Sequence, residues 1–192
     1  VCGHWGAWGT AARLTCLPYY EGDERLIHVG ADYSFNDPAR DLVPFVTTGE
    51  AFAGQNPEFG PAGIDFLPIV AIPPFANTGA IPTEHTNLIN LEAAAAWGPL
   101  VVQSEMRWAV VDQLNGARNT FPGFYAHARY VLTGEIVEYD EANGVFGAVT
   151  PDVPVGWGRG GAGAWELAAR VSHLDLNGEL LPGPGRQLTD VT

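Results

Sequence analysis

The sequence predicts an all-β, antiparallel fold built from long strands with two unlike faces. Three observations carry this expectation. Six stretches alternate apolar and polar side chains with a period of two. In each of them the mid-strand charges fall opposite the apolar side chains. The composition is turn-rich, with 24 Gly and 15 Pro in 192 residues, and only 16% of the residues are charged against 46% hydrophobic.

The clearest alternation lies in residues 163–177. Trp165, Leu167, Ala169 and Val171 share one face, while Glu166, Ala168, Arg170 and Ser172 share the other. Read as a helix, Trp165, Ala168, Ala169, Ser172 and His173 would form a stripe that is only half apolar. The strand reaches the length of about 9–11 residues that crosses a bilayer when tilted.

In chain order, residues 8–17 set Trp8, Thr10, Ala12, Leu14 and Cys16 against Arg13 and Thr15, and residues 18–23 read as a short turn. Residues 24–36 set Ile27, Val29, Ala31, Tyr33 and Phe35 against His28, Asp32 and Ser34. Residues 37–85 are irregular and read as a long loop or cap holding at most brief strands. A loop of that length is usually functional or disordered. Residues 86–97 set Ile89, Leu91, Ala93, Ala95 and Trp97 against Asn90 and Glu92. The Gly98-Pro99 break favours a hairpin into residues 100–112, where Leu100, Val102, Met106, Trp108 and Val110 oppose Gln103, Glu105 and Arg107. Residues 115–121 read as a loop. Residues 122–134 then set Phe124, Ala126, Ala128, Tyr130 and Leu132 against Tyr125, His127 and Arg129. Residues 135–162 are irregular, with turn signals at 140–144 and 158–161, and the tail from Gly178 carries no strand signal.

A net charge of −13 with no Lys, all nine cations being Arg, argues against nucleic acid as a partner. Cys2 and Cys16 fit no metal motif, and Cys16 has apolar parity. His4, His28, His85, His127 and His173 lack metal spacing. The apolar run of residues 66–76 is broken by Pro68, Pro73 and Pro74, so no membrane helix is expected. The chain starts at Val1, which reads as a processed or partial sequence.

Two architectures produce such strands. In a water-soluble sandwich the apolar face is the core; in an outer-membrane barrel it meets lipid and the charged face lines the lumen. The aromatic residues favour the barrel. Trp8, Tyr33, Phe35, Trp108 and Phe124 gather at one end of the strands; Trp97, Tyr130 and Trp165 gather at the other. All have apolar-face parity, with aliphatic residues between, as two interfacial girdles require. Arg25, Asp112 and His173 break the apolar parity only near strand ends, where polar tips reach water. The length of residues 135–162 on the short-turn side has no account beyond a plug or docking role.

Several stretches, in this order, resemble the phosphate-selective porin O/P family of bacterial outer membranes. They are Arg13-Leu14-Thr15 with Leu17-Pro18, Leu26-Ile27-His28-Val29-Gly30, and Trp97-Gly98-Pro99. Later come Leu132-Thr133-Gly134-Glu135 with Tyr139-Asp140, and Gly163-Ala164-Trp165-Glu166-Leu167-Ala168-Ala169-Arg170 with Leu174-Asp175-Leu176. The resemblance implies a homotrimeric barrel of about sixteen strands that passes small anions, phosphate or polyphosphate among them. This chain would supply about six of those strands as an incomplete C-terminal half, since a barrel needs at least about eight.

The pore-lining set by parity is Arg13, His28, Asp32, Glu92, Glu105, Arg107, Arg129, Glu166 and Arg170. Lumen Arg side chains stabilise an anion in transit, as rings of Arg do in anion pores. The alternative for each is pairing with carboxylates of the wall. A Gly98-Pro99 turn would set Glu92 opposite Glu105, which is unfavourable unless an Arg such as Arg129 stands beside them. As a glycosidase acid pair the two glutamates lack any supporting residues, and His28 with Asp32 reads as a lumen hydrogen-bond pair. No cofactor and no catalytic constellation is expected. The alternatives to an anion channel are a general, weakly selective porin and a soluble β-sandwich binding module.

Overall fold

A computed structural model describes residues 7–47, 76–156, 160–183 and 186–192. Cys2, His4 and the apolar run from Phe66, apart from its last residue Ala76, lie outside the described residues. The described residues form strands and turns, with no helix among them.

The strands are β1 (Trp8–Tyr20), β2 (Arg25–Asp37), β3 (Leu42–Thr47), β4 (Ala76–Trp97), β5 (Leu100–Gln113), β6 (Arg118–Val131), β7 (Tyr139–Asp140), β8 (Val145–Phe146), β9 (Glu166–Asp175) and β10 (Gln187–Val191). One antiparallel sheet runs β1-β2-β4-β5-β6-β9-β10, with β3 added against the first part of β4. β7 and β8 form a separate two-residue ladder.

Six long strands stand where the alternation put them, with four differences. β1 continues through Pro18 to Tyr20, its register shifting between Cys16 and Tyr19 because proline offers no N–H to the ladder. β4 begins at Ala76, ten residues before the expected start, and its early part pairs with β3 within the stretch read as a loop. β6 begins at Arg118, so the expected loop shrinks to a tight turn whose ends are tied by Gln113 N–H to Ala117 O at 2.8 Å and Arg118 to Asp112 at 2.5 Å. β10 pairs with β9 inside a tail that shows no strand signal. In each case the missing signal is the same. These segments are held by backbone pairing to a neighbour rather than by their own alternation.

The registers place all apolar-parity residues on one face. One row reads Leu14, Ala31, Leu91, Met106 and Phe124 across five strands. The next reads Cys16, Val29, Ala93, Ser104, Ala126 and Val171, interrupted only by the Ser104 hydroxyl. This face is open: Leu14 is 78% exposed, Leu91 49% and Leu167 66%. Trp97 and Tyr130 lie in the row nearest the Gly98-Pro99 turn, while the tilted rings of Trp8 and Phe35 pack with centroids 4.8 Å apart at the other end. The interfacial rings carry polar contacts at their tips. Trp8 Nε1–H donates to Asp37 and Tyr33 O–H to Asn87. The polar exceptions are paired as well: Arg25 lies over Trp97 at 5.0 Å, and His173 meets Thr189 Oγ1 at 2.8 Å.

The buried side chains lie on the opposite, charged-parity face, in two clusters at its two ends. At one end Leu26, Ala96, Val101 and Val131 pack with Val137 and Tyr139 from the connection between β6 and β9. At the other, Ile81, Ala109, Val111 and Phe121 pack with Leu176, flanked by Phe45 and Leu181. The charged residues form a belt between them. A sandwich would bury Leu14, Leu91 and Leu167; here they are open while the buried clusters lie on the charged-parity face, the inverse of a water-soluble sheet.

Candidate functional site

The nine residues expected to line a lumen all lie on the charged-parity face, and the registers order them. Arg13 stands opposite Asp32, Asp32 opposite Asn90 and Asn90 opposite Arg107. One row nearer the Gly98-Pro99 turn, Gly30 stands opposite Glu92, Glu92 opposite Glu105 and Glu105 opposite Tyr125. The two-residue turn therefore does set the two glutamates face to face.

Their repulsion is relieved by Arg13, not by Arg129. Arg13 Nη2 lies 2.7 Å and Nε 3.0 Å from Glu92 Oε1, and His28 Nε2 lies 3.2 Å from the same oxygen. Glu105 turns the other way. It accepts from Tyr125 O–H at 2.6 Å and lies 3.7 Å from Arg107. Arg13 sits on β1 and Glu92 on β4, with β2 between them. Only the absence of a side chain at Gly30 lets the carboxylate lie across β2, since a Cβ there would overlap it.

His28 and Asp32 do not pair. They are four residues apart on β2, about 13 Å at the rise of a strand. His28 is 3% exposed and meets Tyr139 O–H through Nδ1 at 2.6 Å; Asp32 accepts from Asn90 Nδ2–H at 2.8 Å. Arg129 donates to Gly147 O at 3.1 Å and lies 3.8 Å from Glu166. Arg170 stacks over the Tyr125 ring at 4.2 Å. The nine thus separate into a central cluster of Arg13, His28, Glu92, Glu105 and Arg107, an Arg129–Glu166 pair, and the flanking Asp32 and Arg170.

Asn90, Tyr125 and Tyr139 join the site without having been singled out. The parity of Asn90 and Tyr125 in their strands is a sufficient signal. Tyr139 has no strand parity, and its signal is its place in the family motif Tyr139-Asp140; it lies in the irregular connection. There, Asn143-Gly144 is a hairpin signal, and the hairpin forms with Gly144 at φ 67°. Asp140 accepts from the Ala142 and Asn143 N–H groups and from Asn143 Nδ2–H. These bonds, the Asn143 side chain foremost, hold the Asp140 carboxyl below the ordinary range. The Thr133 hydroxyl does the same for Glu135 at the base of the connection.

The site is a polar groove between the wall and this hairpin, lined by Arg13, His28, Glu92, Glu105, Tyr125 and Tyr139. Arg13 and His28 line one side of it and Glu92 and Glu105 the other. The arrangement offers charged and hydrogen-bonding groups and pairs no nucleophile with a base.

The family model of phosphate-selective porin O and P matches residues 74–192. The strands carrying Arg13 and His28 precede the matched region. A Caulobacter vibrioides protein, described only as uncharacterized, is 37% identical over 100 residues, 52% of this chain. Those residues span 20% of that protein's length. The family match covers more than half of the chain and includes β4 to β10. The chain belongs to the phosphate-selective porin O and P family, a family of bacterial outer-membrane porins.

Proposed function

We propose that the sheet is part of the wall of a passive outer-membrane channel, with the charged face toward the lumen and the open apolar face toward lipid. One observation carries the reading: the apolar face, banded by aromatic residues, is open, while the buried clusters lie on the charged face. On this reading Arg13, His28, Asp32, Glu92, Glu105, Arg107, Arg129, Glu166 and Arg170 line the pore. A complete barrel of about sixteen strands, assembled as a homotrimer, accounts for the strand edges left at β1 and β10 among the described residues.

The geometry favours weak selectivity over a phosphate-specific path. Arg13 is neutralised by Glu92, and Arg129 is shared between Glu166 and a backbone carbonyl. The second reading is an anion-preferring channel. It draws on the family description and on Arg107, whose side chain is 59% exposed beside the groove.

Planar-bilayer conductance of the complete natural protein, under a chloride and then a phosphate gradient, tests both. Discrete steps with a reversal potential near zero are expected. A reversal potential close to the anion limit would establish the second reading. Absence of steps from properly assembled protein would overturn the channel.

A further inference from the structure

The two aromatic bands do not follow the register rows of the sheet. Trp8 on β1 stands opposite Asp37, and Phe35 on β2 is one row nearer the Gly98-Pro99 turn. Trp108 on β5 shares the next row with Tyr33 and Ile89, and Phe124 on β6 shares the row after that with Leu91 and Met106. At the other end Trp97, Leu100, Tyr130 and Leu167 share one row, and Trp165, just before β9, lies one row beyond it. Both bands thus step the same way across the sheet. Tilted strands produce this. With neighbours about 4.8 Å apart and a tilt of about 35–45°, a line of constant height slips along the strands by about 4 Å at each neighbour. From β4 to β9 there are three such steps. The slip is then about 12 Å, or about four residues at roughly 3.3 Å each, so the height of Trp97 is met before β9 near Gly163.

Gly163 has no side chain to place there, and Val155 supplies one. A Cβ at Gly163 would lie 2.7 Å from Val155 Cγ2, and one at Gly161 would lie 2.9 Å from Val153 Cγ1. The segment that carries the two valines is tied to the strand ends. Gly163 N–H donates to Val153 O at 3.2 Å, Trp165 Nε1–H to Ala162 O at 3.1 Å, Leu132 N–H to Trp165 O at 2.7 Å, and Asp152 N–H to the Glu135 carboxylate. Val155 is 74% exposed and Val153 57%, and the adjoining Trp165 and Leu132 are open as well.

We propose that residues 152–156, held against residues 160–163, are an interfacial anchor. It seats Val153 and Val155 at the boundary between headgroups and acyl chains, in the leaflet at the Gly98-Pro99 end. The inference rests on the channel reading above, which gives the open apolar face to lipid. Two observations select lipid over a soluble partner. The patch continues that face through Leu167, Trp165 and Leu132, all exposed. It also lies at the height of the aromatic band, the level at which such rings meet the headgroups.

The test uses the complete natural protein in lipid vesicles, its cysteines, Cys2 and Cys16 among them, replaced by Ser. A nitrobenzoxadiazole label is attached in separate variants at Val155→Cys, at Leu91→Cys in the middle of the open face, and at Ala142→Cys on the exposed hairpin. Quenching is compared between lipids with a nitroxide near the headgroup and lipids with one near the acyl tail. At Val155→Cys the shallow nitroxide is expected to quench at least twofold more than the deep one, with emission blue-shifted from that at Ala142→Cys. Emission equal to that at Ala142→Cys, with no quenching at either depth, overturns the inference and leaves the patch to a soluble partner. Stronger quenching by the deep nitroxide also overturns it, because the patch then lies in the hydrocarbon core. At Leu91→Cys the order is expected to reverse, and no quenching there at either depth would overturn the channel reading itself. If Val155→Cys does not assemble, Val153→Cys carries the same measurement under the same criteria.

Discussion

At the scale of single residues, Gly30 has the largest effect for the smallest side chain. Glu92 and Arg13 lie two strands apart, beyond the reach of an ordinary cross-strand pair. The bare backbone at Gly30 gives the carboxylate a path across β2. A methyl group there returns roughly 0.5–1 kcal/mol of strand preference but displaces Glu92 from Arg13 and His28. Stability alone is therefore a poor readout, and coupling is a good one. A double-mutant cycle of Arg13→Gln and Glu92→Gln is expected to give a coupling on the order of 1 kcal/mol. With Gly30→Ala added, that coupling should fall to near zero. A coupling that survives Gly30→Ala would show that the carboxylate reaches Arg13 by another route. The Arg13–Glu92 pair could not be read from strand parity, because parity gives the face and not the partner. Parity offered Arg129 as one example of a neutralising cation, and the side-chain contacts give that role to Arg13.

At the scale of elements, the channel reading gives the two faces of each strand different solvents, and one substitution on each face tests this. Leu91 lies mid-strand on the open apolar face; Gln103, on the neighbouring β5, lies on the groove. Leu91→Arg is expected to destabilise the membrane-folded protein by about 2–4 kcal/mol. Gln103→Arg should be tolerated and register only in ion preference. Urea unfolding in lipid vesicles measures the first and reversal potential the second. Equal costs for both would mean that neither face meets lipid. The same scale explains which elements were legible. β1, β2, β5, β6 and β9 carry their own alternation across the sheet. β3 and β10 are too short to show a period, and residues 76–85 of β4 lack it. These three are specified by the neighbours they pair with.

At the scale of the whole molecule, the channel reading makes the aromatic bands the markers of where the sheet sits in the bilayer. Trp8 and Trp108 stand toward one end, Trp97 and Trp165 toward the other, with Leu14, Val29, Leu91 and Val171 between. Rings of this kind settle at the headgroup level. Tryptophan fluorescence in vesicles of brominated lipid is therefore expected to be quenched more by bromines near the headgroup than by bromines at the acyl tail. Equal quenching from all depths would contradict the two bands, and no quenching at all would place the aromatic face away from lipid.

By itself, the sequence determined the strand faces, the two aromatic bands and the identity of the charged belt, because a period of two maps directly onto two sides of a sheet. It also carried the family motifs. It did not determine which face is covered, since a strand buried in a core and a strand facing lipid have the same alternation. The tertiary structure decided that by leaving Leu14 and Leu91 open and folding β7 and β8 over His28 and Arg13. The irregular residues 135–162 gave no such account beforehand. Their place depends on a pocket assembled from Leu26, Ala96, Val101 and Val131 on four different strands, and such a pocket exists only once the registers are set.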